Sequence, residues 1–249
     1  MISVNTFMNY KSLLSIVLSL FFFSCTPSPE EQAQELVEKS IEGHELSKKW
    51  ENVAAIRFKK LTRLLYEDGA VESESEQWVE FRLKPYFEAK LTWSKDSISH
   101  IVNFNGSKTS YQMGENSIQN EGFLKAKRVE IDAVYFAFAQ PWNLLDENTS
   151  LMYEGQKTLE GGKIVESVRV ENLNAPKPFW IYFDTVSFKV ETIESQGKDY
   201  KSLLENLAPD ESTGLLFPKG QKSYRIDDSG KKLFLQAEYL YSDYQVTFE

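Results

Sequence analysis

The chain has 249 residues, enough for one domain with a substantial core. Its 37 acidic against 28 basic residues give a formal net charge of −9, and no basic tract is long enough to hold nucleic acid, so that partner class is excluded. Cys25 is the single cysteine and His44 and His100 are the only histidines, which excludes an internal disulfide and a three-histidine metal centre; we expect no metal and no cofactor. Aromatic residues are abundant (17 Phe, 12 Tyr, 5 Trp) beside few glycines and prolines, a bias toward pleated, half-buried strands.

At the N-terminus, Lys11 precedes the short apolar run Leu13–Phe23 and a small residue, Ser24. That order is the pattern of a secretory signal peptide, and the run is too short to span a bilayer. Phe22-Phe23-Ser24-Cys25 resembles the lipobox of bacterial lipoproteins, with Phe22 where Leu is more usual. The reading is a signal peptide over 1–24, acylation of Cys25, a membrane partner reached through that acylated Cys25, and a tether over 25–32. Met8 offers an alternative start. Acyl chains contribute about 0.8 kcal/mol per buried methylene, so a multiply acylated cysteine anchors stably.

A single domain is expected over 33–249. Glu30–Lys49 reads as one amphipathic helix, with Leu36, Val37 and Ile41 at helical spacing and Pro29 at its start. Strand patterns follow. Arg57–Tyr66 leads into Glu67-Asp68-Gly69, a turn signal. Val79, Phe81 and Leu83 alternate with charges, Phe87 to Trp93 resume the period of two after Pro85, and Ile98–Phe104 ends at Asn105-Gly106. Lys108–Met113 and Ser117–Gln119 read as short strands. Arg128–Leu145 is apolar nearly all round and reads as a buried helix lying in the concavity of a curved sheet. The strands then resume with Leu151–Leu159 and Lys163–Glu171 around Glu160-Gly161-Gly162, then Phe179–Asp184 and Phe188–Ser195. Tyr200–Leu207 reads as helical or irregular. Gly220–Asp227, Lys231–Tyr241 and Tyr244–Phe248 complete the set.

Catalytic motifs are sparse. His100 shares a strand face with Ile98 and Val102 and reads as a satisfied core or rim histidine; His44 reads as a helix-end residue. No G-x-S-x-G elbow, S-x-x-K motif or glycine-rich phosphate loop is present. Asp184 could line a cleft but is better placed to open a turn. The clusters Lys125, Lys127, Arg128 and Lys219, Lys222, Arg225 read as solvated faces. Phe179-Trp180-Ile181-Tyr182-Phe183 is apolar on both strand faces, which marks a strand buried on both sides. Residue type alone leaves a filled core and an apolar ligand cavity equally open.

A lipid-anchored N-terminus, a first helix leading into Trp50, long antiparallel strands and an embedded apolar helix together resemble the LolA/LolB-like superfamily of lipoprotein carriers and receptors. Phe179-Trp180-Ile181-Tyr182-Phe183-Asp184, Gly214-Leu215-Leu216-Phe217-Pro218 and Tyr241-Ser242-Asp243-Tyr244-Gln245-Val246 resemble an uncharacterised family of Gram-negative lipoproteins. The resemblance implies a mainly β (α+β) fold, an antiparallel half-open β-barrel with an N-terminal helix and an apolar helix packed in the concavity. It implies no catalytic residue, and a lipid or acyl chain as ligand. The protruding apolar loop of the lipoprotein receptor has no counterpart here. The expected cavity or core residues are Phe81, Trp93, Phe104, Phe136, Phe138 and Phe183, and the expected location is the cell envelope, at the outer membrane. Two other readings remain open: an interaction module with a filled core, and a carboxylate-dependent hydrolase.

Overall fold

The computed structural model describes residues 27–45, 48–172 and 177–249. The signal segment 1–24 and Cys25 lie outside the described residues. Every described element lies between Pro29 and Phe248, so a chain beginning at Thr26 carries the whole described fold.

Helix α1 (Pro29–His44) starts with a capping box. The Ser28 side chain accepts from the Glu31 backbone N–H at 3.2 Å, and the Glu31 carboxylate accepts from the Ser28 N–H at 2.8 Å. Pro29 at the first helical position and Glu30 and Glu31 in the first turn suit the helix dipole. Residues 30–32, which the tether and helix readings shared, belong to the first turn of α1. The helix also stops short of Lys49. Glu45 turns into extended backbone and bridges Leu215, and the His44 carbonyl accepts from Leu216 N–H at 2.8 Å. A 3-10 turn, Lys49–Asn52, follows.

Six strands come next: β1 (Val53–Leu65), β2 (Val71–Arg82), β3 (Glu88–Lys95), β4 (Ile98–Phe104), β5 (Thr109–Met113) and β6 (Asn116–Ile118). Helix α2 (Glu121–Phe138) and a 3-10 turn (Trp142–Leu145) interrupt them. The rest is β7 (Thr149–Thr158), β8 (Ile164–Asn172), β9 (Phe179–Asp184), β10 (Val190–Gln196), β11 (Lys201–Asn206), the short ribbon β12 (Pro209–Asp210) and β13 (Phe217–Pro218), β14 (Gly220–Ile226) and β15 (Lys232–Phe248).

Thirteen strands form one antiparallel sheet in the order β6-β5-β4-β3-β2-β1-β15-β14-β11-β10-β9-β8-β7, open at both ends. This is the half-open barrel that the family resemblance implied. Alternation within each strand and the register between strands build continuous apolar rows on one face. In one row Phe58, Val79, Leu91, Val102 and Tyr111 stand directly opposite one another across five strands, all buried. In the other half, Leu204, Ile193, Ile181, Val168 and Tyr153 also stand opposite one another, the middle three buried and the outer two part-buried.

Helix α2 closes over the first half and α1 over the second. The α2 helix starts at Glu121, seven residues before the apolar run begins, and ends at Phe138, short of Leu145. Ile131, Val134 and Phe138 are buried while Val129, Asp132 and Ala133 are exposed, so the helix expected to be buried on most sides has a wet face. Asn120 caps it by accepting from the Phe123 N–H at 2.8 Å, and the first turns are mostly exposed. Residues 201–206 form a strand where the sequence left helix or irregular structure open. Their alternation is weak because both faces are half-covered, yet β10 and β14 pair with them fully. The last two expected strands are one. Asp243, with φ 57°, sits inside β15 near a register shift against β1 and does not end it.

Candidate functional site on the concave face

The concave face begins with the rows of β1 to β5. Phe138 of α2 is fully buried with its ring stacked between Phe58 at 4.5 Å and Phe217 at 4.7 Å, and Phe81 lies 6.2 Å away. Above this stack, Trp50 lies parallel to Trp142 at 4.5 Å. Of the six expected residues, Phe81 and Phe138 thus meet in the centre of one cluster. Trp93 and Phe104 stand part-buried at its rim. The Arg128 guanidinium covers the Phe104 ring at 3.7 Å, and Trp93 stacks on the His100 imidazole at 5.1 Å. Phe136 and Phe183 belong to the second cluster, under α1, where Phe136 meets Phe179 edge-on at 4.7 Å. The structure brings the six residues onto one face but into two packed groups.

Toward the mouth the same face turns polar. Lys60 follows Ile56 and Phe58 in phase on β1, so it faces inward, opposite Gln77 of β2 and Tyr241 of β15. The Gln77 amide donates to Glu130 of α2 at 3.4 Å, and Lys127 donates to the other oxygen of that carboxylate at 2.7 Å. Burial lowers the pKa of Lys60 to about 8, against the opposing charge of Glu130. Deeper between the two helices, Gln221 accepts from the Tyr241 hydroxyl at 2.7 Å and donates to the Ala137 carbonyl and Asn206.

At the level of sequence no family model matches this chain, and no curated protein does. Three-dimensional comparison is more informative. A LolA superfamily protein from Nitrosomonas europaea is similar over 87% of this chain and 94% of its own, with a TM-score of 0.56 and 10% identity. The fold is LolA-like. A DUF1329 family protein from Desulfovibrio piger is similar over 88% of this chain and 94% of its own, at TM-score 0.56 and 8% identity. A putative outer membrane lipoprotein-sorting protein domain from Vibrio parahaemolyticus covers 87% and 93%, at 0.52 and 8%.

The convex side of the LolA-like sheet has a smaller apolar cluster, Val165, Tyr182, Leu203 and Ile226, with a cavity of about 260 Å³ beside it. Lys157 donates to Tyr182 at 2.5 Å and to Glu194 at 2.9 Å, and the Tyr182 hydroxyl donates to Glu194 at 2.6 Å. Burial pushes the Glu194 carboxyl up, but these hydrogen bonds and the Lys157 charge outweigh it and its pKa falls. Each member satisfies the others, so the triad staples β7, β9 and β10. This accounts for a strand β9 buried on both faces.

Asp184 opens the β9–β10 turn. It accepts from the backbone of Val186 and Ser187 and from the Ser187 hydroxyl, and these bonds hold its pKa at about 2. A carboxylate so engaged does not act as a general acid. His100 donates to or accepts from Tyr111 at 2.6 Å. His44 pairs with the Ser40 carbonyl at 2.7 Å, and burial lowers its pKa to about 4. Among the described residues, no group of three or more His, Cys, Asp or Glu is placed to hold a metal. Sequence reasoning missed Lys60. Its signal was present: a cation in phase with Ile56 and Phe58, on the face that alternation assigns to the interior.

Proposed function

We propose that this chain is a lipid-anchored, non-catalytic protein of the cell envelope, at the outer membrane, that holds a lipid or another hydrophobic ligand against the concave face of its sheet. The observation that carries the reading is a LolA-like half-barrel whose concave rows are apolar on both sides of the central strands. Two solved proteins of this fold are described as a LolA superfamily protein and as an outer membrane lipoprotein-sorting domain, which supports the location and the ligand class. Cys25 carries the acyl anchor, and α1, starting at Pro29, holds the domain close to the bilayer.

The ligand chain lies along the Phe58 and Phe81 rows, in the place that Ile131, Val134 and Phe138 of α2 occupy. Trp93 and Phe104 form its rim, and Phe136 and Phe183 border it toward α1. Entry therefore requires α2 to yield the contacts of Ile131, Val134 and Phe138, and the acyl chain replaces them at about 25 cal/mol per Å². The test is the melting temperature of a chain starting at Thr26, with and without an envelope lipid extract. Ligand at a hundred times its Kd stabilises by about 2.7 kcal/mol, a rise of roughly 5–10 °C for a domain this size. An unchanged melting temperature, with no lipid retained after gel filtration, contradicts the proposal. The close seating of α2 favours a second reading, a filled core that docks a protein partner, and that outcome would turn the account toward it.

A further inference from the structure

The floor of the concave face changes character at one residue. Along β1, Ile56 and Phe58 are buried under α2, Lys60 follows, and Thr62 comes next on the same face. Across on β2, Phe81 and Val79 give way to Gln77 and Ser75. Lys60 stands at this boundary. Its neighbours leave its ammonium without a hydrogen-bond acceptor. Each oxygen of the Glu130 carboxylate already accepts one hydrogen bond, from Lys127 and from Gln77, and the Tyr241 hydroxyl donates to Gln221. Among the described residues no hydrogen-bond acceptor or carboxylate oxygen pairs with the Lys60 ammonium, which lies over the Tyr239 ring at 4.9 Å. Glu130 opposes this charge from a distance without pairing with it, and an ammonium held among protein atoms without a directly bonded anion is costly, a cost recovered when an anion arrives. Lys60, Lys127 and Glu130 together carry one net positive charge, and Lys127 is already used by Glu130 and by the rings of Trp93, Tyr111 and Phe123.

We propose that Lys60, with Tyr239 beside it, is the head-group site of the concave face, and that the ligand is an amphiphile bearing one anionic group, a carboxylate or a phosphate, with its acyl chain on the Phe58 and Phe81 rows. This rests on the lipid-binding reading above and narrows it. The anion completes the shell that the protein leaves open, and its position follows from the boundary between the apolar floor and the polar mouth. A neutral lipid of equal chain length gains the apolar contacts and leaves Lys60 unpaired.

The experiment uses a chain starting at Thr26, wild type and Lys60→Met, a substitution that keeps length and apolar bulk, with Lys60→Gln as a second variant should Met disturb folding. Displacement of an uncharged hydrophobic fluorophore is measured with oleate, 1-oleoyl lysophosphatidate and oleyl alcohol. In the wild type the anionic ligands bind about tenfold or more tighter than the alcohol. In the variants the alcohol binds as before and the preference falls to within about twofold. Tighter binding of oleate identifies a carboxylate head and tighter binding of lysophosphatidate a phosphate head; either supports the site. Equal binding of all three to the wild type, or an anion preference that survives at Lys60→Met, overturns it while leaving the lipid-binding reading intact. If none of the three displaces the fluorophore, the lipid-binding reading falls and this inference falls with it.

Discussion

Replacing Phe138 by Ala tests whether α2 is seated in the sheet as the packing requires. The ring is fully buried and stacked between Phe58 and Phe217 at 4.5 and 4.7 Å, with Phe81 and Tyr244 at 6.2 and 6.0 Å. Removing it forfeits the transfer energy of the ring and leaves a void, a loss of about 3–5 kcal/mol for a buried phenylalanine. The two stacked contacts place Phe138 toward the upper end of that range, about 4–5 kcal/mol. At roughly 2–4 °C per kcal/mol for a domain of this length, melting falls by about 8–20 °C. Urea unfolding followed by the fluorescence of Trp50 and Trp142, which sit above the stack, reads the change. Phe123→Ala, on the exposed start of α2, is the control, with an expected loss under about 1 kcal/mol. A loss below about 1 kcal/mol at Phe138 would refute the packing described for α2. Because the void lies where the ligand chain is proposed to enter, a hydrophobic ligand should raise the melting temperature of Phe138→Ala more than that of the wild type.

Gly43→Ala should destabilise, because an added Cβ would stand 2.9 Å from the Ser187 carbonyl and push α1 off the β9–β10 turn. Gly122→Ala, whose Cβ meets only the Asn120 side chain at 3.5 Å, should be neutral or stabilising by up to about 1 kcal/mol; chemical denaturation of both variants checks the contrast. His44 is neutral when folded, with a pKa lowered by burial to about 4 against 6.5 when exposed. The unfolded chain therefore binds the extra proton first, and stability from this residue, full above pH 6.5, falls by about 3 kcal/mol as pH drops to 4. His44→Gln should flatten that part of the acid limb, and an unchanged difference between the two chains from pH 7 to 4 would contradict it. Lys60 has its pKa lowered to about 8 from 10.5, so the folded state is penalised below pH 8 and the penalty fades as pH rises toward 10.5. Lys60→Met should therefore stabilise the ligand-free protein at pH 7 by about 1–3 kcal/mol, as a binding residue held against stability would. A destabilised Lys60→Met would show that the lysine is structural.

The fold was legible wherever one signal dominated. Period-two alternation found β2, β3 and β4 because one face of each is wet, and the Glu160-Gly161-Gly162 turn found the β7–β8 hairpin because its two glycines must take φ of 89° and 85°. The apolar run around Val134 found α2 because Ile131, Val134 and Phe138 pack into the sheet there, but its polar first turns carried no such mark. Strand β11 was hidden because its neighbours, and not its own pattern, define it. The Ser28 and Glu31 capping box was readable in the residues and was overshadowed by the two prolines beside it. The site divided in the same way. Aromatic residues announced the concave face, yet no local pattern says that Phe81 and Phe138 share one cluster while Phe136 and Phe183 share another. That partition comes from β15 returning between β1 and β14, a pairing of residues nearly two hundred positions apart.

The central claim is that the concave face holds a hydrophobic ligand, and native mass spectrometry of the chain starting at Thr26 tests it most directly. The account predicts a bound mass that is lost on organic extraction and regained on addition of an anionic single-chain lipid. A bare protein mass that takes up neither phospholipid nor fatty acid would contradict it.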